Sequence, residues 1–260
     1  MTNSVVTITK SPGRALALAE QVRSGNVRAV SRLITLLESQ DPDGIEGLRL
    51  LTPDTRPRIV IGVTGYPGAG KSTLINALLT AYRRQEMKVA VLAVDVSSAM
   101  TGGALLGDRI RMQEHVLDSG VYIRSMATRG HPGGLARTTD AARLVLEAAG
   151  YDVVLIETVG VGQNEADIMK SAPTVIAVVA PGLGDEVQAM KAGLLELAHI
   201  IVVNKGDHPG ADKTVRDLRE WCPTVIATVA TTGEGLSELL AAIAAHQRMR
   251  SMADSHQRFE

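Results

Sequence analysis

Aromatic side chains are almost missing from this 260-residue chain, which has four Tyr, one Trp and one Phe. Charge of one sign is missing too, since 27 Lys and Arg face 28 Asp and Glu for a net charge of −1. A protein with no basic field and few rings to stack on bases is not expected to bind nucleic acid. The single cysteine, Cys222, excludes an internal disulfide and fits a reducing compartment. With no His nearby it reads as a core or edge residue rather than a metal ligand. No apolar run reaches the roughly 18 residues of a membrane span, and the polar start Met1-Thr2-Asn3-Ser4 lacks a signal-peptide pattern. The expectation is therefore a cytoplasmic protein with no membrane partner. What the chain does have is 45% apolar residues, enough for one large core.

It also has Gly65-Tyr66-Pro67-Gly68-Ala69-Gly70-Lys71-Ser72, which fits the phosphate-cradling pattern Gly-x-x-x-x-Gly-Lys-Ser/Thr. The context agrees with the motif. Arg58–Val63 is a β-branched run that reads as a buried parallel strand, and Ser72–Leu79 reads as a helix. Small residues let backbone N–H groups point at a polyphosphate, and the helix N-terminus adds partial positive charge. Gly65, Pro67, Gly68, Ala69, Gly70, Lys71, Ser72 and Thr73 are the candidate phosphate-binding residues, with Lys71 on the β- and γ-phosphates and the Ser72 hydroxyl on Mg²⁺.

Taken in order, the chain predicts helices over Ala15–Arg23, Val27–Glu38 and about Asp43–Leu51, the second carrying the apolar stripe Val30, Leu33, Ile34, Leu37. Residues 1–55 are read as a helical arm that either braces the fold or binds a partner. Apolar strands follow near 88–94, 121–124, 152–157, 174–180, 199–204 and 224–227, separated by helical stretches. This alternation predicts an α/β fold, a mostly parallel sheet with helices on both faces over residues 56–248. The last helix is predicted over Gly235–Gln247, and 249–260 is expected to be a tail without a further element.

In such sheets the loops at the strand C-terminal ends make the ligand site. Asn204-Lys205-Gly206-Asp207 follows one strand, and Asn-Lys-x-Asp is a guanine signature in which the Asp207 carboxylate accepts from N1–H and the 2-amino group. Ala230-Thr231 is the candidate for a backbone N–H onto the base oxygen. Glu157-Thr158-Val159-Gly160 ends another strand, where Glu157 can serve Mg²⁺ or the attacking water and the Gly160 N–H the γ-phosphate. The residue after Gly160 is Val161, so the water-orienting glutamine of Ras-like enzymes is missing from its place, with Gln163 as an internal substitute; hydrolysis without a partner should be slow. Asp95 and Asp108 flank a glycine-containing loop that reads as a switch and can add carboxylates near Mg²⁺ or water, the lesser alternative for Asp108 being a helix cap. His131, in a loop with Arg129, reads as a solvated turn residue or part of a functional loop.

The set Ala90–Asp95, Thr101-Gly102-Gly103, Leu106-Gly107-Asp108, Glu157–Gln163 and Val202–Lys205, together with Ala29–Glu38, resembles the MeaB/ArgK family of methylmalonyl-CoA mutase-associated GTPases over roughly residues 14–245. The resemblance implies a GTP/GDP- and Mg²⁺-binding chaperone that gates adenosylcobalamin loading, protection or reactivation of a B12-dependent acyl-CoA mutase. It implies Lys71 as the phosphate lysine, Ser72, Asp95, Asp108 and Glu157 around Mg²⁺ and water, and a third switch over 181–191 read through Asp185 and Lys191. Asp185 can instead complement a helix dipole. Longer family members dimerise through a C-terminal helical extension, whereas this chain ends soon after its last predicted helix; a homodimer is an expectation of the resemblance alone. Segment 163–173 is also compact, so the client can be methylmalonyl-CoA mutase or a 2-hydroxyisobutyryl-, isobutyryl- or ethylmalonyl-CoA mutase. The rival readings are a nickel-insertion GTPase and a P-loop small-molecule kinase. The first is opposed by the lack of a Cys-x-x-Cys, Cys-Pro-His or His-rich tract.

Overall fold

Seven strands form a wholly parallel sheet in the order β3-β2-β4-β1-β5-β6-β7. They are β1 (Ile59–Gly65), β2 (Val89–Asp95), β3 (Val121–Ala127), β4 (Val153–Val159), β5 (Thr174–Val179), β6 (Ile200–Asn204) and β7 (Val225–Thr228). Among the described residues the helices are α1 (Pro12–Arg23), α2 (Val27–Glu38), α3 (Pro42–Leu50), α4 (Lys71–Arg83), α5 (Gly134–Ala148), α6 (Gln163–Met169), α7 (Ala211–Arg219) and α8 (Leu236–Gln257). The computed structural model describes residues 12–51, 58–95, 115, 117–127, 134–159, 163–182 and 195–257.

The central strands are nearly all apolar because both faces of the sheet are covered. On one face Ile61 and Val63 of β1, Leu155 of β4, Val178 of β5 and Val202 of β6 pack with Leu74, Ile75 and Leu78 of α4 and Leu239 and Ile243 of α8. On the other, Ala177, Val179, Ile201 and Val203 pack with Leu218 of α7. Gly62, which alternates with the α4-facing residues, leaves only enough room for its neighbours: a Cβ there would lie 2.6 Å from the Met169 sulfur. β1 lies at the centre of the sheet, between β4 and β5, so the crevice beyond its C-terminal end is where the sheet order places a ligand.

The chain divides into two compact units, one holding the sheet and the other holding α1 to α3 with residues 141–150. Within the second unit α2 buries Ala29, Val30, Leu33, Ile34 and Leu37, one residue more than the predicted stripe on the same face. Asn26 caps that helix, accepting the Ala29 N–H at 3.0 Å. Gly44 of α3 lets the helix lie close to α2, since a Cβ there would meet Leu36 Cβ at 2.7 Å.

One expectation fails. α8 does not end near Gln247 but runs to Gln257, so the tail predicted for 249–260 is helical through most of its length. Its residues are polar but rich in good helix formers, and no Gly or Pro follows Gly235 to stop it. Propensity carries the helix past the point where the apolar stripe ends. Among the described residues no helix is long and apolar enough to cross a membrane.

α8 is fastened to the N-terminal edge of the sheet by a pair of histidines. His199 Nδ1 accepts the Val175 backbone N–H at 3.0 Å, and His246 Nδ1 lies 3.1 Å from the Thr174 hydroxyl. The two rings are 4.3 Å apart. Loss of solvent lowers the pKa of both, Arg250 adds to this at both, and His199 adds to it at His246. A folded-state pKa below the unfolded value near 6.5 means the unfolded chain takes protons more readily, so stability present above that pH is lost as pH falls through it. The thermal midpoint is expected to drop between about pH 7.5 and about pH 5.5 and to drop less in His246→Gln. Parallel pH curves for the two proteins would contradict this assignment.

Candidate functional site

The phosphate loop is shaped by two glycines that no other residue can replace. Gly65 has φ +139°, and a Cβ there would sit 2.1 Å from the Val178 carbonyl oxygen of β5. Gly70, at φ +93°, begins α4, and its Cβ would sit 2.1 Å from Asn204 Nδ2. Between them the loop turns on itself, with the Ala69 N–H on the Tyr66 carbonyl at 3.2 Å. Ala69 is buried, whereas Pro67 and Gly68 are exposed. Lys71 is buried, and its Nζ donates to the carbonyls of Gly65 at 2.6 Å and Tyr66 at 3.1 Å. An ammonium is thereby held beside the open N–H groups of the α4 N-terminus, an arrangement suited to a polyphosphate. Thr73 follows on the exposed side of the first turn.

Ser72 and Glu157 meet. The Ser72 hydroxyl donates to Glu157 Oε1 at 2.6 Å, and both residues are buried. They come together because β1 and β4 are neighbours with Val63 level with Glu157, which puts Glu157 beneath the first turn of α4. A hydroxyl and a carboxylate are hard oxygen donors of the kind Mg²⁺ takes, so this pair fits the ion in chemistry and position. Asp95 ends β2, two residues beyond the Ala93–Glu157 pair on the strand beside β4. Asp108, Gly160, Asp185 and Lys191 lie outside the described residues, as do Arg129 and His131.

The loops expected from the sequence to read a base are joined to the phosphate loop by one side chain. Asn204, buried at the end of β6, donates from Nδ2 to the Ala69 carbonyl at 2.9 Å. Its Oδ1 accepts the Ala230 N–H at 3.1 Å and the Thr228 hydroxyl at 3.2 Å. Lys205 has φ +58°, an uncommon conformation that turns the chain sharply outward, and the Gly206 N–H holds that turn on the Thr228 carbonyl at 2.9 Å. Asp207 is consequently exposed at the loop tip. Thr231 is exposed beside Ala230. Sequence reasoning missed Thr228, because a β-branched residue in a strand needs no further reason to be there.

The structure thus brings together Lys71, Ser72 and Glu157 on one side and Ala69, Asn204 and Ala230 on the other, all at the C-terminal ends of the strands. Among the described residues no three His, Cys, Asp or Glu side chains are grouped to hold a metal by themselves.

Comparison with known proteins bears on the family and the fold. A Pyrococcus abyssi protein described as a GTPase is 50% identical over 88% of this chain and 75% of that protein. GTPase ArgK of Escherichia coli is 36% identical over 87% of this chain and 75% of its own length. The crystal structure of an LAO/AO transport system kinase superposes with a TM-score of 0.72 at 27% identity, covering 97% of this chain and 80% of that one. The hydrogenase maturation factor HypB of Archaeoglobus fulgidus shares the fold, with a TM-score of 0.57 at 18% identity over 89% of this chain and 99% of that one. The family model described as methylmalonyl-CoA mutase-associated GTPase MeaB matches residues 30–260, and the chain belongs to that family.

Proposed function

We propose that this protein is a Mg²⁺-dependent GTPase whose nucleotide state controls an adenosylcobalamin-dependent acyl-CoA mutase, gating cofactor loading, protection or reactivation. The observation that carries the GTPase reading is Asn204, which ties the phosphate loop to both loops proposed to read the base. The link to a mutase rests on the family's description. In this reading Lys71 leaves its two carbonyls to meet the β- and γ-phosphates, and the backbone N–H groups from Gly68 to Thr73 hold the rest of the chain of phosphates. Bound Mg²⁺ would supply charge neutralisation of the phosphates, with Ser72, Glu157, Asp95 and Asp108 as the residues to hold it or its water. Glu157 orients the attacking water, Gly160 gives its N–H to the γ-phosphate, and Asp207 accepts from guanine. Asp185 and Lys191 report the nucleotide state to the partner.

The test has two steps. Purified protein is offered GTP and ATP with Mg²⁺, and GTP is expected to be turned over slowly and preferentially. Apo and holo forms of candidate B12 mutases are then added, and complex formation with faster phosphate release is expected from one of them. Stimulation by none would end the chaperone reading and leave the GTPase intact, and labelled phosphate on an acceptor instead of in solution would favour a kinase.

A further inference from the structure

Thr64 and Thr158 are fully buried, and among the described residues neither side-chain hydroxyl has a hydrogen-bond partner. They stand side by side. β1 and β4 pair Val63 with Glu157, so each threonine comes one residue after that pair on adjacent parallel strands. Side chains alternate along a strand, and this turns both threonines away from α4. Val63 packs in the α4 core and Glu157 accepts from Ser72 of α4, whereas Gly62, two residues before Thr64, faces Met169 and Ala172. The two hydroxyls therefore open on the same buried face, at the ends of the strands that carry the phosphate loop and Glu157.

An unpartnered buried hydroxyl costs its lost hydration, and valine would fill the same space and suit a strand equally well. Two such groups on neighbouring strands are spaced for one shared partner. Strands lie about 4.8 Å apart, and a water seated over that gap reaches both oxygens at an ordinary length of about 2.8 Å. We infer that Thr64 and Thr158 are positioning residues whose hydroxyls share one buried water, tying the end of β1 to the end of β4 and so fixing Glu157 against the phosphate loop. The inference rests on the GTPase reading for its consequence in turnover and on the strand geometry alone for the water.

The experiment compares Thr64→Val, Thr158→Val, the double variant and Thr158→Ser in thermal unfolding and in GTP turnover. Each valine is expected to lower Tm by about 2–4 °C, and the pair by no more than the larger single effect, because the first substitution already loses the bridge. In each valine variant kcat should fall about tenfold with KM within about twofold, and Thr158→Ser should restore it. Valine variants that keep or raise Tm with independent effects would overturn the shared water, and unchanged kcat would overturn the positioning role. Wild-type protein that turns over no GTP would count against the GTPase reading, while the unfolding cycle would still decide the water.

Discussion

Glu157→Gln is expected to slow GTP turnover by about a hundredfold or more while leaving GTP affinity within about threefold. The size follows from what the substitution removes. Glu157 lies at the end of β4 with 1% of its surface exposed, and its Oε1 takes the Ser72 hydroxyl at 2.6 Å. Glutamine keeps the shape and an acceptor for Ser72, so the fold and the first turn of α4 stay in place. What disappears is a full negative charge in a buried setting, where charges act more strongly than in water. Binding is expected to depend mainly on the phosphate loop and on the loops proposed to read the base, and the one described contact of Glu157 with them, the bond from Ser72, is kept by glutamine. Initial rates at saturating GTP, with affinity from nucleotide displacement, check the result. Turnover equal to wild type would remove Glu157 from the chemistry.

Asp207→Asn is expected to weaken GTP binding by at least about a hundredfold and to create a preference for xanthosine triphosphate. The guanine edge presents two donors, N1–H and the 2-amino group, which a carboxylate accepts together. An asparagine amide offers one acceptor and one donor, so one pairing becomes donor against donor. Xanthine carries an oxygen in place of the amino group and restores the match. Asp207 is exposed on its loop, and the turn beneath it is held by backbone bonds from Gly206 to Thr228. The substitution should therefore change the ligand without changing the fold. Competition among GTP, ATP and xanthosine triphosphate measures it, and an unaltered ranking would show that Asp207 does not read the base.

The parts of the molecule legible in the sequence are those where local pattern and global position agree. The strand runs fall within a few residues of β1 to β7, because strands buried on both faces must be apolar throughout. The phosphate loop is legible because backbone geometry dictates glycine at Gly65 and Gly70. What stays hidden depends on distance in sequence. The Asn204 side chain serves Ala69, Thr228 and Ala230, and only the folded sheet places those groups around it. The grouping of residues 141–150 with the N-terminal helices is likewise a tertiary fact, with no marker in their own composition. The far half of α8 was obscured for a different reason, since its helicity comes from propensity while the apolar stripe that signals packing has already stopped.

The order of strands in the sheet also sets a timetable for synthesis. β1 is made early but pairs on one side with Val153–Glu157 and on the other with Thr174–Val178. At about 5–20 residues per second a ribosome needs on the order of ten seconds to pass from Gly65 to Val178. For most of that interval, until Val153–Glu157 is made, an apolar strand waits without either neighbour, the situation in which nascent chains are most prone to associate. Gly65 has nothing to wedge against until Val178 exists, and Gly70 nothing until Asn204 emerges later still. The phosphate loop is among the first parts of the site to be written and among the last to take its working shape.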